Sequence, residues 1–279
     1  MHIGTMTPHT IGFIGAGNMA RSLAGGLLNN GWSADRLLLS DPDANQRRGA
    51  EQALGIKTFP ANVALAAAAD VLVLAVKPQA LKTVAEEIAA TVQKKRPLVV
   101  SVAAGIRITD IERWLGGNLP IVRVMPNTAA LIGSGATGLF ANTSVTEAQR
   151  DEAESILRAV GVTVWVKSEA LIDTVTAISG SGPAYFLLVM EVLEKAAIKH
   201  GLDPKTARLL TLETAYGAAK MALEGGEEPA QLRQRVTSPG GTTEKAVQAL
   251  EAGKIERIFD DAVIAAMQRA RELADLFGK

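Results

Sequence analysis

Two stretches of this 279-residue chain combine residue types and spacings that can do chemistry. The first is Val236-Thr237-Ser238-Pro239-Gly240-Gly241-Thr242-Thr243-Glu244-Lys245-Ala246. Gly240 and Gly241 lack side chains, so backbone N–H groups can approach a ligand. A helix beginning at Thr242 or Thr243, with Ala246, Val247 and Leu250 on one face and Gly253 as its stop, would offer first-turn amides without intrahelical partners. Its positive dipole end suits a carboxylate or phosphate. Ser238, Thr242 and Thr243 add hydroxyls that can hydrogen-bond or relay a proton. An ordinary capped helix after a loop has the same pattern, so the turn needs a reaction partner elsewhere in the chain.

The second stretch supplies that partner. Gly15-x-Gly17-x-x-Ala20 follows a short apolar run and opens a helical pattern through Met19, Leu23 and Leu27. Gly15 makes the tight turn, Gly17 admits a pyrophosphate, and Ala20 lets helix and strand pack closely. In this context the motif predicts a dinucleotide site, with a purely structural glycine turn as the alternative. The following strand ends at Ser40-Asp41, where the adenine ribose belongs. The Ser40 hydroxyl and nearby Arg47 and Arg48 suit a 2′-phosphate, whereas the Asp41 carboxylate suits a bare ribose. The reading is NADP(H) preferred, NAD(H) accepted.

Further candidates fall where other strands end. Ala75-Val76-Lys77-Pro78 follows the most apolar strand, and Lys77 can meet phosphate or ribose oxygens. Val102-Ala103-Ala104-Gly105 is small enough for a nicotinamide to lie flat. Arg123-Val124-Met125-Pro126-Asn127-Thr128 ends another strand in polar side chains. Ser179-Gly180-Ser181-Gly182-Pro183 reads as a tight turn, with Ser181 or Gly182 capping a helix that has Pro183 in its first position.

These stretches need a scaffold. Strands are expected at 10–14, 36–40, 57–59, 71–76, 98–101, 121–125, 136–140 and 162–166. Helices are expected after 19, at 43–54, from 62, at 79–91, 109–115 and 146–160, the last with Thr146 and Gln149 as a capping box. The alternation implies a mostly parallel, doubly wound sheet with helices on both faces. From Glu169 onward only long helical patterns remain, at 184–200, 205–224 and 255–277. The expected division is therefore 10–168 for dinucleotide binding and 169–279 for a helical domain that packs against a second subunit, with a self-contained monomeric bundle as the alternative.

Composition removes other classes of function. Twenty-nine basic residues balance 29 acidic ones, which gives no electrostatic case for nucleic acid or an anionic membrane as partner. The absence of cysteine excludes disulfides and thiolate catalysis, and permits a reducing cytoplasm. Three histidines occur, with no spacing suited to zinc, so no metal is expected. His2 and His9 fall in an N-terminus expected to fray, residues before Thr10 read as an alternative start, and His200 sits at a helix end. The apolar run at 63–76 is too short to span a bilayer.

Phe13-Ile14-Gly15-Ala16-Gly17-Asn18-Met19-Ala20, Ala75-Val76-Lys77-Pro78, Ser179-Gly180-Ser181-Gly182-Pro183-Ala184-Tyr185 and Val236-Thr237-Ser238-Pro239-Gly240-Gly241-Thr242-Thr243, in this order, resemble the pyrroline-5-carboxylate reductase family. The resemblance covers nearly the whole chain from Thr10. It implies a Rossmann domain followed by a helical dimerisation domain, with dimers often assembled into rings. It implies reduction of the cyclic imino acid 1-pyrroline-5-carboxylate to L-proline by NAD(P)H. Cofactor contacts would fall on Ala16, Asn18, Met19, Ser40, Asp41, Asn62, Val76, Lys77 and Ala104. Substrate contacts would fall on Glu169, the backbone near Arg235, the Ser238 turn, Thr242 and Thr243. In a dimer the turn would face the neighbouring subunit's cofactor. Two positions depart from the pattern: relatives often carry a hydroxyl at position 41, and some carry asparagine at 235. The competing readings are a 3-hydroxyacid-type dehydrogenase, which would need Lys195 or Lys199 as a catalytic lysine, and a non-catalytic NADP-binding oligomer.

Overall fold

The structure, a computed structural model, describes residues 9–279; His2 lies outside them. The chain forms two compact units. One runs through Ser181 and takes up Ala266–Lys279 again, and the other is Gly182–Ala265. The first therefore extends past the composition change at Ser168, because the segment after 168 packs on the sheet rather than joining the long helices.

In the first unit β1 (Ile11–Ile14), α1 (Asn18–Asn29), β2 (Leu37–Ser40), α2 (Ala44–Leu54), β3 (Lys57–Phe59), α3 (Asn62–Ala68), β4 (Val71–Leu74), α4 (Pro78–Lys95), β5 (Leu98–Ser101), α5 (Ile108–Trp114) and β6 (Ile121–Met125) alternate. β7 (Gly135–Ala141), α6 (Glu147–Arg158) and β8 (Gly161–Trp165) complete one eight-stranded sheet of order β3-β2-β1-β4-β5-β6-β7-β8. Strand residues alternate between two cores. Ile11, Phe13, Val71 and Val73 face α1 and α6, while Ile14, Leu72 and Leu74 face α3, α4 and α5. Burial on both faces explains why these strands read as unbroken apolar runs. Each such large side chain contributes about 1.5–3 kcal/mol by leaving water.

β7 runs antiparallel to β6. Only a short 3₁₀ turn, Thr128–Ile132, separates them, too little chain for the crossover a parallel pair needs. α6 then provides a crossover, and β8 returns parallel to β7. The expected capping box holds: Thr146 Oγ1 accepts from the Gln149 amide, and Gln149 Oε1 accepts from the Thr146 amide. His9 is not a frayed residue. Its Nδ1 lies 2.5 Å from Oε1 of the buried Glu152, a carboxylate that needs a polar partner once removed from water.

The segment 179–182 departs from the expected turn. α7 (Leu171–Val175) continues through a π-helical turn, Thr176–Gly180, into α8 (Gly182–Lys199), so Pro183 lies within a helix rather than at its first position. The Ser181 amide reaches back five residues to the Thr176 carbonyl at 2.8 Å. Pro183 has no N–H for the Ser179 carbonyl, its partner in a regular helix. The Asn127 amide donates to that oxygen instead, at 3.0 Å, while its own Oδ1 accepts from Ala136 N.

The second unit consists of α8, α9 (Pro204–Glu224), α10 (Pro229–Arg235), α11 (Thr242–Ala252) and the first part of α12 (Ile255–Phe277). α10 has no counterpart in the sequence reading; its Pro229 at the first helical position and its capping box of Glu228 with Gln231 were the available signals. Within this unit, among the described residues, only Ala207 and Leu232 are buried hydrophobics. Phe186, Leu193, Leu209, Tyr216 and Ile258 are all more than half exposed. Leu171–Lys199 is long and apolar enough to cross a membrane by length and composition, although Asp173, Glu191, Glu194 and Lys195 interrupt it.

Asn127 yields a stability test. Asn127→Ala should lower unfolding free energy by about 0.5–1.5 kcal/mol, the usual net worth of one hydrogen bond, because the Ser179 carbonyl is half-buried. Pro183→Ala restores a backbone donor for Ser179, so the double variant should lose less than the single variants together. Additive losses in chemical denaturation would show that Asn127 does not replace the missing helix bond.

Candidate active site

The sheet order reverses between β1 and β4, both flanked by parallel neighbours. The turns leaving these strands diverge to opposite faces and open a crevice at their carboxyl ends. Gly15 forms its floor. Its φ is +100°, and a Cβ there would lie 2.7 Å from the Ala75 carbonyl oxygen. Its amide donates to the Ser40 carbonyl at 2.8 Å. Ala16 and Ala20 are fully buried. Gly17 is the opposite case: a Cβ there would meet nothing within 4 Å. It is the extended N-cap of α1 and provides no side-chain cap. The first-turn amides beside Asn18 and Met19 are therefore available on an open face, which fits a dinucleotide pyrophosphate.

The ribose corner is arranged by hydrogen bonds. Ser40 is fully buried, and its hydroxyl donates to Asn62 Oδ1 at 2.8 Å, so it braces the corner from behind rather than facing a 2′-phosphate. Asn62 Nδ2 in turn donates to Glu87. The Asp41 carboxylate accepts from Ala16 N and Asp43 N, each at 2.9 Å. Arg47 Nη1 donates to the Asp41 and Pro42 carbonyls. A carboxylate and a guanidinium thus share the corner, the same pair from which the sequence pattern reads NADP(H) as preferred and NAD(H) as accepted.

Ala75 and Val76 are half-buried beside Gly15, and Lys77 is exposed as the N-cap of α4, ahead of Pro78. One strand further on, Ala103 is buried and Ala104 half-exposed, in a loop that leads through Gly105 to α5. Glu169 is already engaged: its Oε1 accepts from Ile108 N at 2.7 Å and from Arg123 Nη1 at 3.0 Å. Arg123, whose side chain is 4% exposed, also lies 3.8 Å from Asp173. This buried arginine had been visible only as part of a polar strand end.

The turn at 236–243 belongs to the second unit. Thr237 Oγ1 donates to the Arg233 carbonyl. Gly240 takes a left-handed φ of +73°, and its amide donates to Glu244 Oε2 at 3.0 Å. The Gly241 amide donates to the Ser238 carbonyl. These two glycine amides are therefore already used within the turn, and the anion-binding capacity moves to the first turn of α11. Gly241 provides no side-chain cap there, and Thr242 and Thr243 are exposed. Glu244, which closes the turn, was missed in the sequence reading, although a glutamate early in a helix was its signal. Arg235 pairs with Glu227. Lys195 pairs with Glu191 on an exposed helix face, a surface ion pair rather than a catalytic base in a pocket. Among the described residues no group of acidic residues and histidines could hold a metal.

The chain is similar to known proteins over nearly its whole length. Residues 169–273 match the family described as pyrroline-5-carboxylate reductase dimerisation, and residues 10–105 match NADP oxidoreductase, coenzyme F420-dependent. A pyrroline-5-carboxylate reductase of Pseudomonas aeruginosa is 49% identical over 98% of this chain and 100% of its own length. The solved pyrroline-5-carboxylate reductase of Coxiella burnetii is 47% identical, covers 96% of this chain and 99% of its own, and superposes with a TM-score of 0.93. That of Plasmodium falciparum, solved with NADP bound, is 29% identical with a TM-score of 0.83, covering 95% of this chain and 98% of its own. A dinucleotide crevice and a helical dimerisation region, matched at such identity over nearly the full length of both chains, place this chain in the pyrroline-5-carboxylate reductase family.

Proposed function

We propose a division of labour in which residues 10–168 hold the dinucleotide, and residues 169–279 dimerise and bind the substrate. The enzyme reduces 1-pyrroline-5-carboxylate to L-proline with NAD(P)H, the last step of proline biosynthesis. The chain self-associates, as its dimerisation region implies. The finer reading is a dimer, or a ring of dimers, working in the cytoplasm without nucleic acid or membrane as partner. The apolar Leu171–Lys199 helix falls within the dimerisation match, and a subunit interface accounts for its exposed face.

The observation that carries the cofactor reading is the contrast between Gly15 and Gly17: one cannot accommodate a Cβ, and the other leaves the α1 amides open. Gly15, Ala16, Gly17, Asn18 and Met19 would hold the pyrophosphate. Ser40, Asp41 and Asn62 would shape the ribose corner, Ala75 to Pro78 the next wall, and Ala103 and Ala104 the nicotinamide shelf. When bound, the nicotinamide supplies a hydride to the imine carbon.

The chain must then orient a cyclic imine and deliver a proton to its nitrogen. The first-turn amides at Thr242 and Thr243, with Ser238 and the backbone at Arg235, Gly240 and Gly241 shaping the turn, suit the substrate carboxylate. The Thr243 hydroxyl, exposed in the first turn of α11, would hydrogen-bond the imine nitrogen, directly or through water. A threonine hydroxyl is a weak acid, so its part is positioning and proton relay rather than general acid catalysis. Orientation of the bound imine therefore carries most of the rate.

Two tests address these roles. Thr243→Ala should lower kcat by about 10²-fold or less, the range for lost proton-transfer help; wild-type turnover would remove Thr243 from the mechanism. At the ribose corner, Asp41→Ser removes a negative charge that opposes a 2′-phosphate. Calorimetric titration should show NADPH binding about tenfold tighter and NADH weaker, as expected for one carboxylate a few ångströms from a phosphate. Equal affinities before and after would mean that the carboxylate does not face the ribose.

A further inference from the structure

Three elements meet at the amide of Asn62. It is the first residue of α3, where Ala61 as N-cap makes no side-chain bond. The Ser40 hydroxyl, fully buried at the end of β2, donates to Asn62 Oδ1 at 2.8 Å. Asn62 Nδ2 donates to Glu87 Oε2 at 2.9 Å, on the exposed face of α4. Leu65 and Ala66 of α3 share one core with Leu81, Ala85 and Ile88 of α4, so apolar packing already sets the spacing of the two helices. The bond from Asn62 to Glu87 spans that fixed gap.

An asparagine amide has nearly the same shape in its two flips, so its hydrogen-bond partners choose between them. Ser40 cannot choose, because a hydroxyl either donates or accepts. A carboxylate only accepts. Glu87 therefore draws Nδ2 toward α4, which leaves Oδ1 for β2 and makes Ser40 the donor. We infer that Glu87 is a positioning residue for the cofactor: it sets the orientation of the Asn62 amide, and so fixes which hydrogen-bonding edge the ribose corner presents to the dinucleotide. This rests on the reading of Asn62 as part of that corner. In its two bonds the amide uses one of two N–H groups and one of two Oδ1 lone pairs. The remaining N–H and lone pair form a donor and acceptor pair that suits ribose hydroxyls. Glu87 acts through Asn62 rather than by contact.

The experiment is a double-variant cycle read by calorimetric titration with NADPH and by steady-state kinetics. It uses Glu87→Ala, Glu87→Gln, Asn62→Ala and the double variant Glu87→Ala with Asn62→Ala. Glu87 is exposed within a helix, where alanine is well tolerated. Glu87→Ala should weaken NADPH by about two- to tenfold, the worth of one hydrogen bond expressed as affinity. It should leave kcat at saturating NADPH and the KM for the imine unchanged. Glu87→Gln keeps an acceptor oxygen without the charge and should recover most of the lost affinity. Because Glu87 acts through Asn62, the double variant should bind NADPH as Asn62→Ala alone does. Losses that multiply would overturn the inference in favour of a direct effect of Glu87, and wild-type affinity in Glu87→Ala would deny any positioning. Tighter NADPH in both the alanine and glutamine variants would overturn it in favour of charge repulsion. If Asn62→Ala does not fold, the two Glu87 variants decide: recovery by glutamine supports the inference, and equal loss in both overturns it. Should Asn62→Ala fold and bind NADPH like the wild type, the ribose-corner reading falls, and the inference with it.

Discussion

The close approach of Gly15 to the Ala75 carbonyl is the contact on which the cofactor crevice depends. A side chain at 15 would meet a backbone oxygen at 2.7 Å, and the positive φ there is open to glycine at little cost. That approach lets β1 end beside β4 without a bulky turn between them. It also fixes the direction in which α1 leaves the sheet. Gly17 then needs only to be small, and the open space beside it is what lets α1 present its amides outward. Two glycines two residues apart thus answer different demands, close backbone packing at one and ligand access at the other.

The helical unit is governed by a different constraint. Within Gly182–Ala265 only Ala207 and Leu232 are buried hydrophobics, while side chains as large as Phe186 and Tyr216 are 68% and 63% exposed. So little internal apolar burial cannot offset the conformational entropy of ordering several long helices. The missing core must come from outside the unit, and the dimerisation region matched at 169–273 identifies the supplier as another copy of the chain. Folding of this part and self-association are then one process, which makes its stability depend on protein concentration.

Much of this was legible in the sequence because each signal had a single physical cause. Strands buried on both faces appear as apolar runs, so β1, β4 and β5 were readable from composition alone. The capping box at Thr146 and Gln149 is a local pair of hydrogen bonds and needs no tertiary knowledge. The misread features depend on non-local partners. Ser179 to Pro183 has the residues of a capped helix start, and the Asn127 amide, distant in sequence, takes the Ser179 carbonyl that Pro183 leaves without a helix donor. His9 looked like a terminal residue because Glu152, its partner, lies far along the chain. Ser40 looked like a phosphate ligand because its burial and its bond to Asn62 are tertiary facts.

The same distinction separates motif from role at Glu169. Resemblance carries a residue over by its position in a pattern, and the pattern does not record what the side chain touches. Glu169 opens the segment matched to the dimerisation family, and the resemblance implies a substrate contact there. In the folded chain its carboxylate points into the sheet unit and joins the start of α5 to a buried arginine. A buried guanidinium is stable only when its donors are matched, so Arg123 requires an acid at this place whatever the substrate is. The acid that satisfies Arg123 is also the acceptor for the Ile108 amide, so one carboxylate ties β6 to the start of α5.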